Sequence, residues 1–182
     1  ATTFYNIMNL EKSTHYHNNR PDLAGEHLFT DAGQVILLIV FLIVWILDSF
    51  VFHYSTFLNE NIKWYILIIP GIIILVTAVY ISFSGVKIVF GEKREIPGVI
   101  TKSVFSLVRH PVYCGSIMSL FGLVVMTLSL FSLIIWLGGV IFYYFISRYE
   151  EKLLLAKFGN EYEEYMKKVP MLFPIRLLST KE

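Results

Sequence analysis

Two polar clusters in an otherwise apolar chain carry residue types that do chemistry. The first is Arg109-His110-Pro111-Val112-Tyr113, inside the run SVFSLVRHPVYCGS; the second is Glu150-Glu151, two residues after Arg148 in the run RYEE. A guanidinium can clamp an anion, an imidazole can carry a proton near neutrality, and a carboxylate can hold a cation or act as a base. Pro111 suits the first turn of a helix, where its missing amide proton costs nothing. A helix starting there points free amides and a positive dipole end at whatever lies before it. Adjacent glutamates near the C-terminal end of a helix oppose its dipole and repel each other, so stability alone favours lysine at those positions. The bland alternatives are a basic flank that anchors a helix to lipid headgroups and a helix that simply runs on into water.

The elements that must position these clusters are set by hydropathy. Of 182 residues, 55% are hydrophobic and only 16% charged, with a mean hydropathy of +0.63, whereas soluble domains carry about 25% charged residues. The expected fold is therefore all-α, a polytopic membrane helix bundle. A bilayer core needs roughly 20 apolar residues at helical rise, and four such runs stand out at about 33–57, 64–86, 112–128 and 130–149. Between the last two there is room only for a tight turn, which predicts an antiparallel C-terminal hairpin. That hairpin sets the start of the third span, with RHPVY, beside the end of the fourth, with RYEE.

Basic residues concentrate between the second and third spans (Lys87, Lys93, Arg94, Lys102, Arg109) and after the fourth (Arg148, Lys152, Lys157, Lys167, Lys168, Arg176, Lys181), while Lys63 stands alone between the first and second. The positive-inside rule then puts both polar clusters, the tail and both termini on the cytoplasmic side. After the fourth span, Leu153, Leu154, Ala156, Phe158, Tyr162, Tyr165 and Met166 recur at three-to-four spacing, interrupted by Gly159. This predicts a helical extension and a short cytoplasmic amphipathic tail helix ending before Pro170. Residues 1–30 form a polar cytoplasmic segment without the apolar core of a cleavable signal, and 31–182 read as a single membrane domain.

Asp48 is the costliest residue in the first span, disfavoured by about 2.5 to 3.5 kcal/mol at a helix centre, and must face protein or water. A near-neutral formal charge of +1 offers no nucleic-acid signature, and Cys114, the sole cysteine, excludes an internal disulfide framework.

Taken together, RHPVYCG, about thirty-five apolar residues, EE and the tail KFGNEYEEYMKKVPMLFP resemble the C-terminal core of the isoprenylcysteine carboxyl methyltransferase and phospholipid methyltransferase superfamily of integral membrane enzymes. The resemblance covers about residues 97–174. It implies S-adenosylmethionine as methyl donor, with His110 and Tyr113 contacting it, Pro111 and Val112 between them, and Pro97, Gly98, Val99 and Ile100 lining the same pocket. It further implies Glu150 as a cofactor contact with Glu151 beside it, and Phe105 at a position that is often aromatic. One departure concerns the arginine that addresses the prenylcysteine carboxylate in the eukaryotic enzymes: by strict register it falls at Ile146, so Arg148 is the candidate substitute.

Methyl transfer from a sulfonium is an in-line displacement, which asks for alignment and exclusion of water rather than for a metal. A prenylcysteine carboxylate needs a clamp, casting Arg109 or Arg148 with Glu150 as catalytic residues, whereas a protonated phospholipid amine needs a base such as a glutamate or His110. The expected partners are membrane lipids and a lipidic or prenylated substrate. O-methylation of an isoprenylcysteine-like carboxylate leads, N-methylation of a phospholipid amine is the alternative, and a nicotinamide-dependent sterol-type reductase or a non-enzymatic membrane scaffold are the rivals from other classes.

Overall fold

The computed structural model describes residues 28–91 and 98–174. The polar segment 1–27, Pro97 with the preceding loop residues, and 175–182 lie outside the described residues. Among those described, every regular element is helical. Helix α1 (Leu28–Ile46) runs into a π-helical turn, Leu47–Phe52; α2 covers Trp64–Gly91, α3 Pro111–Thr127, α4 Leu130–Phe158 and α5 Asn160–Lys168. The expected all-α membrane bundle is therefore what forms.

Among the described residues three helices are long and apolar enough to cross a membrane: Ala32–Phe52, Trp64–Val89 and Leu130–Phe158. The remaining apolar helix, α3, has 17 residues, or about 26 Å of rise, the short limit for a span. The first span ends earlier than its apolar run. At His53 the backbone turns into the left-handed region, with φ 56°, and its amide donates back to the Asp48 carbonyl. Apolar composition outlasts the helix because Ser55, just beyond it, is recruited to satisfy Asp48, described below.

Helices α2 and α3 pack most closely. A Cβ built on Gly115 would fall 2.0 Å from Ser82 Oγ and 2.7 Å from the Ala78 carbonyl oxygen. Small residues at this crossing let the backbones approach, the usual solution where lipid gives no hydrophobic drive for helix association. Helix α4 docks across the other side. Phe41, Leu120 and Val124 form one buried cluster, with Trp45 and Trp136 against it; Ile117, Tyr143 and Leu172 form a second. The outward faces of α1, α2 and α4 remain apolar and exposed, as at Ile73, Phe83 and Phe145, which suits a lipid environment.

The predicted hairpin is present. Helix α3 ends at Leu128 in the left-handed conformation, and Ser129 caps α4 by accepting the Ser132 amide. At the opposite end α4 stops at Gly159, whose φ 53° and ψ −128° fall in a region that only glycine occupies readily. The chain turns there into α5, with Tyr162 and Tyr165 buried beneath it.

Candidate active site

His110 caps the N-terminus of α3, and Pro111 takes its first turn. Because α3 and α4 are joined by two residues, the start of α3 meets the last turns of α4. His110 Nδ1 lies 3.3 Å from Glu150 Oε2, and its Nε2 lies 3.6 Å from Glu151 Oε1. The Tyr113 hydroxyl donates to Glu150 Oε1, and its ring stacks on the His110 imidazole at 5.7 Å between centroids. The side-chain association expected between RHPVY and RYEE is thus realised atom by atom.

Arg109 faces a different set of partners. Its Nε donates to Glu151 Oε1 at 2.6 Å, its second terminal nitrogen lies 2.6 Å from the same oxygen, and the first donates to the Met166 and Val169 carbonyls at 2.8 and 2.6 Å. Four of its five N–H donors are engaged in this way. Backbone bonds reinforce the junction: the Arg109 amide donates to the Pro170 carbonyl and the His110 amide to that of Met171. The tail after α5 is therefore fastened against RHP by two backbone hydrogen bonds, and Leu172 is buried beyond it. Arg109, expected as a substrate clamp, spends its charge on holding Glu151 and the tail. Arg148, the other clamp candidate, is exposed on α4.

Burial separates the two glutamates. The Glu151 side chain is 2% exposed and that of Glu150 18%, so Glu151 is sealed inside while Glu150 keeps part of its surface accessible. Burial works against the charged form of His110, but the hydrogen bonds and charges of Glu150 and Glu151 outweigh it and hold its pKa above 6.5. Among the described residues three buried polar atoms here have no hydrogen-bond partner: His110 Nε2, Ser147 Oγ and Glu151 Oε2. Orphaned buried groups cost about 1 to 3 kcal/mol each, which makes this cluster a place that a polar ligand can stabilise. Ser147 and Glu151, one helical turn apart on α4, present their groups on one face.

The remaining candidates take flanking places. Gly98, Val99 and Ile100 are half-buried, and the Val99 amide donates to Glu161 Oε1 at 3.2 Å. Phe105 is buried, its carbonyl accepting the Tyr165 hydroxyl at 2.5 Å. Val112 is half-buried beside the buried Pro111. Pro97 lies outside the described residues.

Two residues escaped sequence reading, Tyr143 and Ser147. Both are buried on α4, and Tyr143 lies 5.4 Å from the Tyr113 ring. The available signal was their spacing: Tyr143, Ser147 and Glu151 recur every fourth residue, so a stripe drawn back from Glu151 passes through both. Tyr143 also walls a cleft of about 530 Å³ between α1, α2 and α3, bounded by Leu38, Val79, Phe83 and Leu120, with Ser82, Ser116 and Ser119 supplying hydroxyls. Gln34 near the start of α1 and Val86 near the end of α2 place this cleft in the half of the bundle that holds His110.

Comparison with known proteins gives a coherent set. The sequence model of the phospholipid methyltransferase family matches residues 61–161. The chain is 36% identical over 102 residues to protein-S-isoprenylcysteine O-methyltransferase of Schizosaccharomyces pombe, covering 52% of this chain and 39% of that protein. It is 30% identical over 124 residues to methanethiol S-methyltransferase 1 of Bradyrhizobium diazoefficiens, covering 56% and 42%. It is 29% identical over 150 residues to methanethiol S-methyltransferase of Pseudomonas deceptionensis, covering 79% and 56%. The aligned part thus spans about half or less of the length of these relatives. No solved structure matches the chain.

Proposed function

The chain belongs to the phospholipid methyltransferase family, and from that premise we propose that it transfers a methyl group from S-adenosylmethionine to a hydrophobic acceptor drawn from the membrane. The observation that carries this reading is the placement of the Tyr113–His110–Glu150 cluster next to Tyr143, which is also a wall of the apolar cleft. One side of that aromatic pair offers charge and hydrogen-bonding groups; the other offers room for hydrocarbon.

The cluster suits the donor. S-adenosylmethionine supplies an electrophilic methyl group on a positively charged sulfur when bound. Glu150, part exposed and held by Tyr113 and His110, is placed to accept hydrogen bonds from the donor's hydroxyl or amino groups, and the orphaned atoms of His110, Ser147 and Glu151 offer further polar contacts. The paired rings of Tyr113 and Tyr143 present π faces of the kind that stabilise a cation and limit water at the junction with the cleft. Arg109 and Glu151 fasten the tail that closes the site. Gly98–Ile100 and Phe105 complete the wall on the α5 side.

Among acceptors, an isoprenylcysteine-like carboxylate leads, with its chain in the cleft. With Arg109 engaged by Glu151 and the tail, the clamp for that carboxylate falls to Arg148, exposed two residues before Glu150. A phospholipid amine is the second reading, favoured by the excess of carboxylate over permanent cation around His110; Glu150 would then take the proton that the amine must lose. The donor site and cleft lie on the cytoplasmic side, as the distribution of basic residues directs.

Calorimetry on detergent-solubilised protein tests the donor: S-adenosylhomocysteine binds, and Glu150→Ala weakens it at least tenfold. No heat from the wild-type protein refutes the reading. A labelled-methyl assay over prenylcysteine, ethanolamine lipids and small thiols, the last suggested by the methanethiol methyltransferase relatives, then selects the acceptor. Arg148→Ala raises KM only if the acceptor is a carboxylate.

A further inference from the structure

Formal charge in the site does not balance. Among the described residues Glu150 and Glu151 face one permanent cation, Arg109, and that guanidinium is bound to Glu151. Glu150 has a neutral phenol, Tyr113, and one nitrogen of His110; among the described residues no lysine or arginine forms an ion pair with it. A neutral imidazole can donate to one carboxylate only, whereas the protonated ring donates from both nitrogens. His110 sits between two carboxylates, 3.3 Å from Glu150 and 3.6 Å from Glu151, so only the charged ring can turn an N–H toward each of them.

Among the described residues, no other titratable group around His110 supplies that charge. Helix α4 contributes Glu150, Glu151 and the hydroxyls of Ser147 and Tyr143. The segment carrying His110 contributes Arg109, Tyr113 and the buried thiol of Cys114. Helix α5 sets Tyr162 and Tyr165 near the Arg109–Glu151 pair, and burial raises both phenol pKa values, keeping them neutral. The tail offers backbone carbonyls, with Met171 accepting the His110 amide. On the α2 side, Gly85 abuts Pro111 and Ser82 lies nearest the α3 backbone, and neither is charged.

We propose that His110 carries the proton that neutralises Glu150 in the free protein and gives it up when a cationic ligand takes its place, so that the preference of the two glutamates for the sulfonium donor over the uncharged thioether product emerges only as this one residue loses its proton. The inference rests on the donor assignment above. S-adenosylmethionine carries one positive charge more than S-adenosylhomocysteine, and the two are otherwise nearly isosteric. With His110 protonated the cluster is neutral and has little electrostatic ground to tell them apart. With His110 neutral it bears one surplus negative charge, in surroundings where a nearby opposite charge moves a pKa by about 1 to 3 units. Binding the donor therefore drives the N–H proton from the imidazole into bulk buffer, and binding the product does so far less. The sign follows from linkage: a ligand that expels a proton binds more tightly as pH rises, by at most about tenfold per pH unit for one proton. Product inhibition is correspondingly strongest on the acid side.

The test is calorimetry on the full chain in detergent, from pH 6 to 9, with each ligand in two buffers of unlike ionisation enthalpy. The wild-type protein releases protons on binding S-adenosylmethionine and markedly fewer on binding S-adenosylhomocysteine, and the affinity ratio moves toward the donor as pH rises. In His110→Gln both ligands bind with no proton release and a ratio independent of pH, while Asp48→Asn, at the far end of the bundle, keeps the wild-type proton count. Equal proton release by the two ligands in the wild-type protein, or a ratio flat across the range, overturns the inference while leaving the donor assignment intact. Binding of neither ligand overturns both.

Discussion

Each end of this bundle buries carboxylate, and the two ends treat it oppositely. Asp48, 3% exposed, accepts from the Ser55 amide at 2.9 Å, from the Ser55 hydroxyl, and from the Ser129 hydroxyl at 2.5 Å. The Ser55 oxygen in turn accepts the Phe131 amide, while the Ser129 and Ser132 hydroxyls stand 2.8 Å apart. Trp45 and Asn59 add bonds to Leu123 and Thr127. Both carboxylate oxygens of Asp48 are bonded, and the network clasps the end of α1 to the α3–α4 turn. At the other end, among the described residues, Glu150 and Glu151 share one permanent cation and three polar atoms stay without partners, one of them on a carboxylate; near Asp48 only the Ser49 hydroxyl does. A saturated carboxylate holds a structure together; an unsaturated cluster leaves interactions for something that binds. The difference separates a clasp from a candidate site more sharply than charge or burial alone, since both ends have both.

The comparison can be broken most severely at Glu151. Removing one partner of a buried ion pair costs about 3 to 5 kcal/mol. Glu151→Ala strands Arg109 and frees the tail, so its thermal unfolding in detergent falls steeply and protease cuts after α5 first. A tail as resistant as wild type would show that Arg109 does not hold it. Next is Asp48→Ala, which orphans the Ser55 and Ser129 groups and costs about 1 to 3 kcal/mol. Its signature is lowered stability with unchanged affinity for S-adenosylhomocysteine; a loss of affinity would erase the division between clasp and site.

A smaller effect comes from pH. His110 is buried with its pKa raised above 6.5 by the two glutamates, so the stability it contributes is complete below 6.5 and is lost as pH rises through the higher folded-state value. The slope is at most about 1.4 kcal/mol per pH unit. Unfolding transitions scanned from pH 6 to 9 show this fall, and His110→Gln flattens it; a wild-type stability that climbs over this window contradicts the assignment. Smallest is Gly159→Ala, where a side chain meets a positive φ and costs about 1 kcal/mol. It loosens α5 without touching the clasp, visible as faster amide exchange over Asn160–Lys168.

Much of this was readable from residue order. Hydropathy located the helices, and the two-residue α3–α4 connection brought RHPVY to RYEE because an antiparallel hairpin has no alternative. Asp48 had to face protein because hydrocarbon does not tolerate a carboxylate. Sequence also marked Gly159 as a break, and the left-handed turn there gives the reason. Reading stopped where partners come from far along the chain. The hydroxyls that satisfy Asp48 at Ser55 and Ser129, and the burial of Leu172 in the segment after the tail helix, depend on packing between segments that periodicity treats separately. The first span stops at Phe52 for the same reason, since Ser55 is needed at Asp48 and cannot serve while it continues a helix.

The deepest division lies within RHPVY itself. By itself the sequence determined that charged groups would gather where α3 starts and α4 ends, because hydrophobic length and loop length are local properties. Only the tertiary structure decided which charge does what. Arg109 turned to Glu151 and the tail carbonyls, and His110 was left between two carboxylates, because hydrogen-bond direction and burial are properties of the assembled ends. Two neighbours in sequence thereby took opposite parts, one fastening the site and the other left able to respond to what enters it.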